Sequence, residues 1–197
     1  MSISWSASQR YGAVPAPGGL GLVHDFLNTM GVATYGPDLL ADATLARDWV
    51  DGAVRTWSAL RGVGAQPPAL DDADLAKLRA LRGTIAKLVA GETPAAPVRP
   101  VSGTFALSDT GEVRLDPMGS GWRWLASALW GEILLSQQHD TWRRLKTCHN
   151  HRCGSAFYDR SKNNSGVWCS VKTCGNAANL RASRARKRER ARSAGSV

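Results

Sequence analysis

The chain has 197 residues, 43% of them hydrophobic, enough for one ordinary domain with a core, or one domain plus a small module. Its net charge of +9 is unevenly placed: residues 143–197 hold 14 Lys and Arg against 2 Asp and Glu, which leaves the preceding part mildly acidic. The longest apolar run, residues 122–135, is interrupted by Arg123 and Glu132 and is too short for a bilayer span, and the first residues lack the basic start and apolar run of a secretory signal. The expectation is a soluble cytoplasmic protein with no membrane partner and a basic end that attracts polyanions.

Residues 1–19 are rich in Ser, Pro and Gly and are expected to form a flexible leader. The cluster Gly18-Gly19-Leu20-Gly21 follows no strand and is not read as a phosphate loop. Leu20, Val23, His24 and Leu27 fall at helical spacing and predict a helix start within 20–30, with a strand as the alternative. Leu45, Trp49, Ala53, Trp57 and Leu60 mark a second helix, ended by residues 62–68. A third follows the Asp71-Asp72 cap and runs through Leu75, Leu78, Leu81, Ile85 and Leu88 to Gly91. Residues 92–100 read as a Pro/Ala linker or loop. Residues 101–107 and 112–115 flank Ser108-Asp109-Thr110-Gly111 and predict a β-hairpin. After a break at 117–121, residues 122–145 are predicted as one long helix, apolar on most sides near its start and so central to a bundle.

All four cysteines lie in the basic end, spaced Cys148-x4-Cys153-x15-Cys169-x4-Cys174. In a reducing compartment two close cysteine pairs usually mean metal rather than disulfide. Four thiolates suit one tetrahedral zinc ion, although the x4 gaps are wider than the common knuckle and four unrelated buried thiols are the alternative. The arm between the pairs supports metal: Ala156-Phe157-Tyr158 and Gly166-Val167-Trp168 flank the turn-rich Ser161-Lys162-Asn163-Asn164-Ser165. They predict a short hairpin over the ion with Phe157 and Trp168 as its core. Gly175-Asn176 is expected to open a helix whose amide end favours thiolate charge. His149 and His151 could compete as ligands, but four thiolates fill the shell and leave the imidazoles to solvent or phosphate. With no open coordination position and no nucleophile–base pair, the zinc is read as structural and the chain as not an enzyme.

Arg181, Arg184, Arg188 and Arg192 share one helical stripe, with Arg186, Lys187 and Arg190 beside it and Glu189 opposing them. A solvated charge run is the bland alternative. A helix that starts at the metal makes these seven residues the candidate nucleic-acid contacts, since Arg suits both phosphates and base edges. Like charges at i, i+4 each cost roughly a few tenths of a kcal/mol, so the helix beyond about Ser183 is expected to fray until a polyanion orders it.

Residues 144–190, read as Arg-Leu-Lys-x-Cys…Cys-Gly-x-x-Phe-x-Asp-x-Ser…Trp-Cys-Ser…Cys-Gly-Asn, resemble the CGNR zinc-finger family. Upstream, His24-Asp25-Phe26-Leu27-Asn28-Thr29 resembles the Asp-Phe-x-Asn-Thr opening of the ABATE domain that precedes this finger in the family. The resemblance implies a bacterial stress-linked transcription regulator, nucleoid-associated, with DNA as partner of the finger and a sensor role for the N-terminal domain. Two departures remove positive charge near the metal: Ala177 stands where the family has Arg, and Gly166-Val167 where a basic pair usually precedes Trp-Cys. The expected polyanion grip therefore shifts to the helix. Under the sensor reading His24, Asn28 and Thr29, with Trp122 and Trp124, line a pocket for a small effector; a hydrogen-bonded polar helix face is the alternative.

The fold class expected is α+β. A mainly helical N-terminal domain with a small β-hairpin covers 20–142, a treble-clef-like four-cysteine zinc finger 143–182, and a basic tail 183–197. A DNA-binding regulator leads among functions, followed by an RNA-binding protein and a protein-interaction module stabilised by structural zinc.

Overall fold

The computed structural model describes residues 5–93 and 100–194; the side chains of 189 and 191–194 lie outside that description. The architecture is α+β. Helices α1 (Ser6–Gln9), α2 (Leu20–Leu27), α3 (Ala43–Arg61), α4 (Asp72–Val89) and α5 (Gly121–Gln138) form the body, with a hairpin of β1 (Gly103–Leu107) and β2 (Val113–Pro117) laid on α5. The basic end adds β3 (Leu145–Thr147), β4 (Ala156–Tyr158) and α6 (Asn176–Ala194). Among the described residues no helix is long and apolar enough to cross a membrane.

Every residue of α2 is buried. Leu20, Leu22, Val23, Phe26 and Leu27 point all round its axis, so the helix sits in the middle and the others wrap it. Helix α3 starts where the Asp42 carboxylate accepts the Thr44 and Leu45 amides, and α4 starts on a reciprocal Asp71/Asp74 capping box. Both end in Schellman turns whose left-handed residue is glycine: Gly62 at φ 63° with Val63 N–H bonded to Ser58 O, and Gly91 at φ 78° with Glu92 N–H bonded to Lys87 O. Leu75, Leu78, Leu81 and Ile85 turn the inner face of α4 toward α2 and α5, where Leu125, Leu129 and Ile133 meet them.

The flexible leader is not found over the part of it that is described. Residues 5–19 are packed, with Trp5 1% exposed, and Ala7, Ser8, Tyr11 and Ala16 also buried. The cause is the buried Asp25 carboxylate, which accepts Ser8 N–H at 2.7 Å and Trp49 Nε1–H at 2.8 Å, and so pins α1 to α2 and α3. The glycine cluster serves close approach rather than phosphate. A Cβ on Gly21 would meet the Trp5 indole at 2.8 Å, and one on Gly19 would overlap the Glu132 carboxylate. That carboxylate is buried in turn, accepting Trp57 Nε1–H at 2.8 Å beside Arg61 at 3.2 Å.

The single helix expected over 122–145 stops at Gln138. Asp140 takes φ 57° and the Asp140 and Thr141 amides close on Gln137 O and Ser136 O, a third Schellman turn with aspartate where glycine usually sits. The chain reverses there, makes a short 3-10 turn at Trp142–Arg144, and enters β3. The hairpin pairs Phe105 with Leu115 and Leu107 with Val113, as the alternation around Ser108–Gly111 predicts. The Pro/Ala segment expected as a linker falls largely outside the described residues.

Candidate metal centre

The first cysteine pair sits in the loop of a hairpin. Strands β3 and β4 pair antiparallel, Leu145 with Tyr158, Lys146 with Phe157 and Thr147 with Ala156. Cys148 N–H closes the loop on Ser155 O at 2.9 Å, Cys153 N–H turns back on Asn150 O at 2.7 Å, and Gly154 supplies φ 62°. The hairpin expected from the sequence, 156–158 against 166–168, is therefore corrected. Extending the preceding helix through Leu145 hides β3, the true partner. Gly166-Val167-Trp168 crosses the knuckle through one bond, His149 N–H to Val167 O at 3.0 Å, while Phe157 belongs to the cysteine cluster and Trp168 packs against that cluster.

The second pair straddles a helix start. Ser170 caps a π-helical turn, Val171–Gly175, accepting the Thr173 amide at 3.3 Å. Cys169 precedes this turn, Cys174 lies in it, and α6 continues from Asn176. Knuckle hairpin on one side and helix start on the other is the treble-clef arrangement.

The four sulfur atoms lie within 4.8 Å of one another. Cys153 Sγ is 3.7 Å from Cys169 Sγ, which is 3.6 Å from Cys174 Sγ. A tetrahedron with Zn–S bonds of about 2.3 Å has edges of about 3.8 Å, so the donor set fits zinc in both chemistry and size. Burial pushes the Cys148 thiol up, and hydrogen-bond donors around the sulfurs oppose that shift. The Asn150 and Cys169 amides point at Cys148, the Ser155 amide at Cys153, and Asn150 Nδ2 donates to Cys174 Sγ at 3.3 Å. The contact between Cys153 and Cys169 pulls the thiol pKa of Cys153 down to about 5 and pushes that of Cys169 up. Cys148, Cys153, Cys169 and Cys174 would hold a divalent ion as thiolates, the ion's charge favouring their deprotonation. With all four positions filled by sulfur the site is structural. His149 and His151 are exposed and stay outside it; His149 lies edge-on to Trp168 at 5.9 Å.

The body forms one wall of this centre, which sequence reasoning missed. Tyr11 and Tyr35, ring centroids 4.7 Å apart, pack with Val32 against the cysteine cluster. Leu145 and Ala156 belong to the body's own hydrophobic core. Asn28 Oδ1 accepts Ala156 N–H at 2.9 Å, and its Nδ2 donates to Ala156 O at 3.1 Å and to Ser8 Oγ at 3.1 Å. His24 Nδ1 accepts the Ala16 amide, so Nε2 carries the proton and donates to Ala156 O at 3.0 Å. Burial lowers the His24 pKa to about 4 and keeps it in this neutral form.

The effector pocket predicted from His24, Asn28, Thr29, Trp122 and Trp124 is therefore not assembled. His24, Asn28 and Thr29 are fully buried, and their polar atoms are taken up inside the protein: Thr29 Oγ1 donates to Phe26 O and accepts from Arg82. Trp122 sits instead between Lys77 and Arg123, and Trp124 stands edge-on to Trp57. The polar motif on α2 is a joint between body and finger.

Asp159 organises the rest of the finger. Its burial opposes ionisation, but Lys146 Nζ at 2.7 Å and the Gly166 and Ser161 amides at 2.7 and 2.9 Å hold its carboxyl well below the usual carboxylate range. A Cβ at Gly166 would meet this carboxylate at 2.8 Å, so the basic residue missing here is matched by a close backbone contact.

On α6 the side chains of Arg184, Arg186, Lys187, Arg188 and Arg190 are exposed. Arg181 is also exposed, yet it donates to Asn150 Oδ1 at 2.6 Å and so links α6 to the knuckle and, through Asn150, to Cys174. The Arg192 side chain lies outside the described residues. The stretch past Ser183, where fraying without a polyanion is expected, is helical here as part of α6, Asn176–Ala194. Ala, Leu, Arg and Lys are strong helix formers, which offsets the repulsion between like charges.

Residues 144–187 match the family model of the CGNR zinc finger. The match takes in all four cysteines, Asp159, and α6 as far as Lys187. No curated protein matches the chain. Residues 144–187 are thus a CGNR-type metal-binding module set on a helical body.

Proposed function

We propose that this protein binds duplex DNA through its CGNR finger and α6 and regulates transcription. The observation that carries the reading is the continuity of α6 with the turn holding Cys174: zinc there would fix the start of a helix that exposes six cationic side chains, Arg181 among them. A cationic helix anchored at one end keeps its charges in fixed register, which suits a groove flanked by phosphates. Arg152 and Lys172, exposed on the knuckle and on the helix-start turn, add charge near the metal where Ala177 and Gly166 remove it. In this reading zinc is scaffold and the body, an ABATE-like domain, orients the finger. His24 and Asn28 then serve the joint and not a cavity.

The test is fluorescence anisotropy on duplex DNA with the full zinc-loaded chain and with a chain truncated after Ala182, followed by genome-wide binding of both. If about five phosphates are neutralised, log K falls with log salt at a slope near −4.5, and truncation removes most of that slope. Enrichment of no DNA by either chain would sink the proposal. A slope that persists on single-stranded RNA, with no preference for duplex, would move the protein to the RNA-binding class.

A further inference from the structure

The hairpin on α5 is an unfinished sheet. Ser108 N–H bonds to Glu112 O, which makes Ser108/Glu112 a hydrogen-bonded pair of the antiparallel ladder. By alternation Ala106/Arg114 and Thr104/Asp116 are also bonded pairs, and the main-chain groups of Gly103, Phe105 and Leu107 point away from β2. Among the described residues nothing pairs with that outer edge of β1. The two edges differ in protection. β2 carries Arg114 and Asp116 and ends at Pro117, which has no N–H to offer, whereas β1 reads Gly-Thr-Phe-Ala-Leu with no charge and no proline.

One face of the hairpin is also apolar beyond what its own helix covers. Phe105, Leu107, Val113 and Leu115 share a face. Leu115 reaches α5, where a Cβ on Gly131 would meet its Cδ2 at 3.2 Å. Phe105, Leu107 and Val113 overhang it, 76%, 72% and 72% exposed.

We infer that β1 pairs with β1 of a second copy of this chain about a two-fold axis at Phe105. In that register Phe105 faces Phe105 of the other copy, and Gly103 faces Leu107, so each outward N–H and C=O on one strand finds its complement on the other. An axis perpendicular to the sheet keeps the apolar faces on the same side. The two hairpins become a four-stranded sheet whose central phenylalanines fill the gap between two α5 helices. A strand with no charge opposes its own copy without repulsion, and four strands with an apolar face are stable where two are marginal. The contact is small, so the association is a reversible one, in the range of about micromolar rather than nanomolar.

Sedimentation equilibrium of the full zinc-loaded chain, nuclease-treated and in high salt, tests this between about 5 and 500 µM. The expected result is a monomer–dimer equilibrium reaching twice the 21.1 kDa chain mass. Phe105→Lys places like charges at the axis, and Phe105→Pro deletes an outward donor while sparing every β1–β2 bond. Each is expected to weaken dimerisation by more than about tenfold with unchanged far-UV circular dichroism. In the wild type, hydrogen exchange at the Phe105 and Leu107 amides slows as concentration rises, while the inward Ala106 amide does not respond. A wild type that stays monomeric throughout overturns the inference, as does a dimer that survives both substitutions. Phe105 and Leu107 amides protected in a monomer would also overturn it, giving the edge to the chain's own residues 94–99. Mass from a co-purified foreign protein on this edge would do the same.

Discussion

Asn28 clasps the peptide group of Ala156 from both sides, its Oδ1 accepting the N–H at 2.9 Å and its Nδ2 donating to the C=O at 3.1 Å. A side-chain amide here takes the place of a neighbouring strand, so β4 is held to α2 as it would be to another strand. Its bonds are buried, and a buried main-chain group left without a partner is expensive. Asn28→Ala is expected to cost about 2 kcal/mol and to lower Tm by about 4–8 °C. Asn28→Asp should do worse, because it faces the Ala156 carbonyl with a second acceptor. Calorimetry on the zinc-loaded protein checks both, and a change within error for Asn28→Ala would show that the clasp is not needed.

The His24 contact makes stability depend on pH. Burial depresses its pKa to about 4, against about 6.5 in the unfolded chain, with Arg160 opposing the charge further. Between these values the unfolded state binds a proton that the native state refuses. This contribution is therefore complete above pH 6.5 and is lost as pH falls toward 4, up to about 3 kcal/mol. Acid also protonates zinc ligands, so the informative measurement is a difference. The stability of wild type should fall more steeply than that of His24→Gln between pH 6.5 and 5, and parallel curves would refute the assignment.

Zinc removal should not unfold the finger alone. Leu145 and Ala156 lie in the core of the body, and Tyr11 and Tyr35 rest on the cysteines. Chelation, or Cys174→Ser, is expected to lower a single cooperative transition rather than delete a separate small one. Cobalt substitution should give the absorption of a tetrahedral four-thiolate site, and a spectrum with imidazole ligation would bring His149 or His151 into the shell.

The arginines of α6 divide into two kinds. Arg184→Ala and Arg188→Ala together are expected to reduce the salt slope of DNA binding by about 1.8, with no change in zinc affinity. Arg181→Ala is expected to weaken zinc retention as well, because its bond to Asn150 Oδ1 orients the amide that donates to Cys174. Competition against a metallochromic chelator separates the two groups. Equal zinc affinity in all variants would make Arg181 an ordinary surface charge.

Much of the fold is legible in the sequence because it is written locally. Asp42 and Asp71 announce helix starts, Gly62 and Gly91 announce helix ends, and the cysteine spacing announces a metal. The errors arise where a local signal is absent or belongs to another element. Asp140 ends α5 in a conformation usually left to glycine, so the apolar periodicity runs on into Leu145 and conceals β3. The composition of residues 1–19 suggests mobility, because a single Trp and a single buried Asp carry the anchoring, and Asp25 lies far along the chain from Trp5. For the site, ligand identity is readable and its walls are not. Tyr11, Asn28 and Tyr35 reach the finger across more than a hundred residues of sequence, and no spacing rule records such contacts.

The wall formed by Tyr11 and Tyr35 means that the finger is not a portable cassette. Cut free at its first strand, it would carry its cysteines with one side stripped to water and the Ala156 peptide without its clasp. Grafted onto a different body, it would need new aromatic cover and a new amide at the same place. Substitutions on the first forty residues of this chain are thus, in effect, substitutions in its metal site.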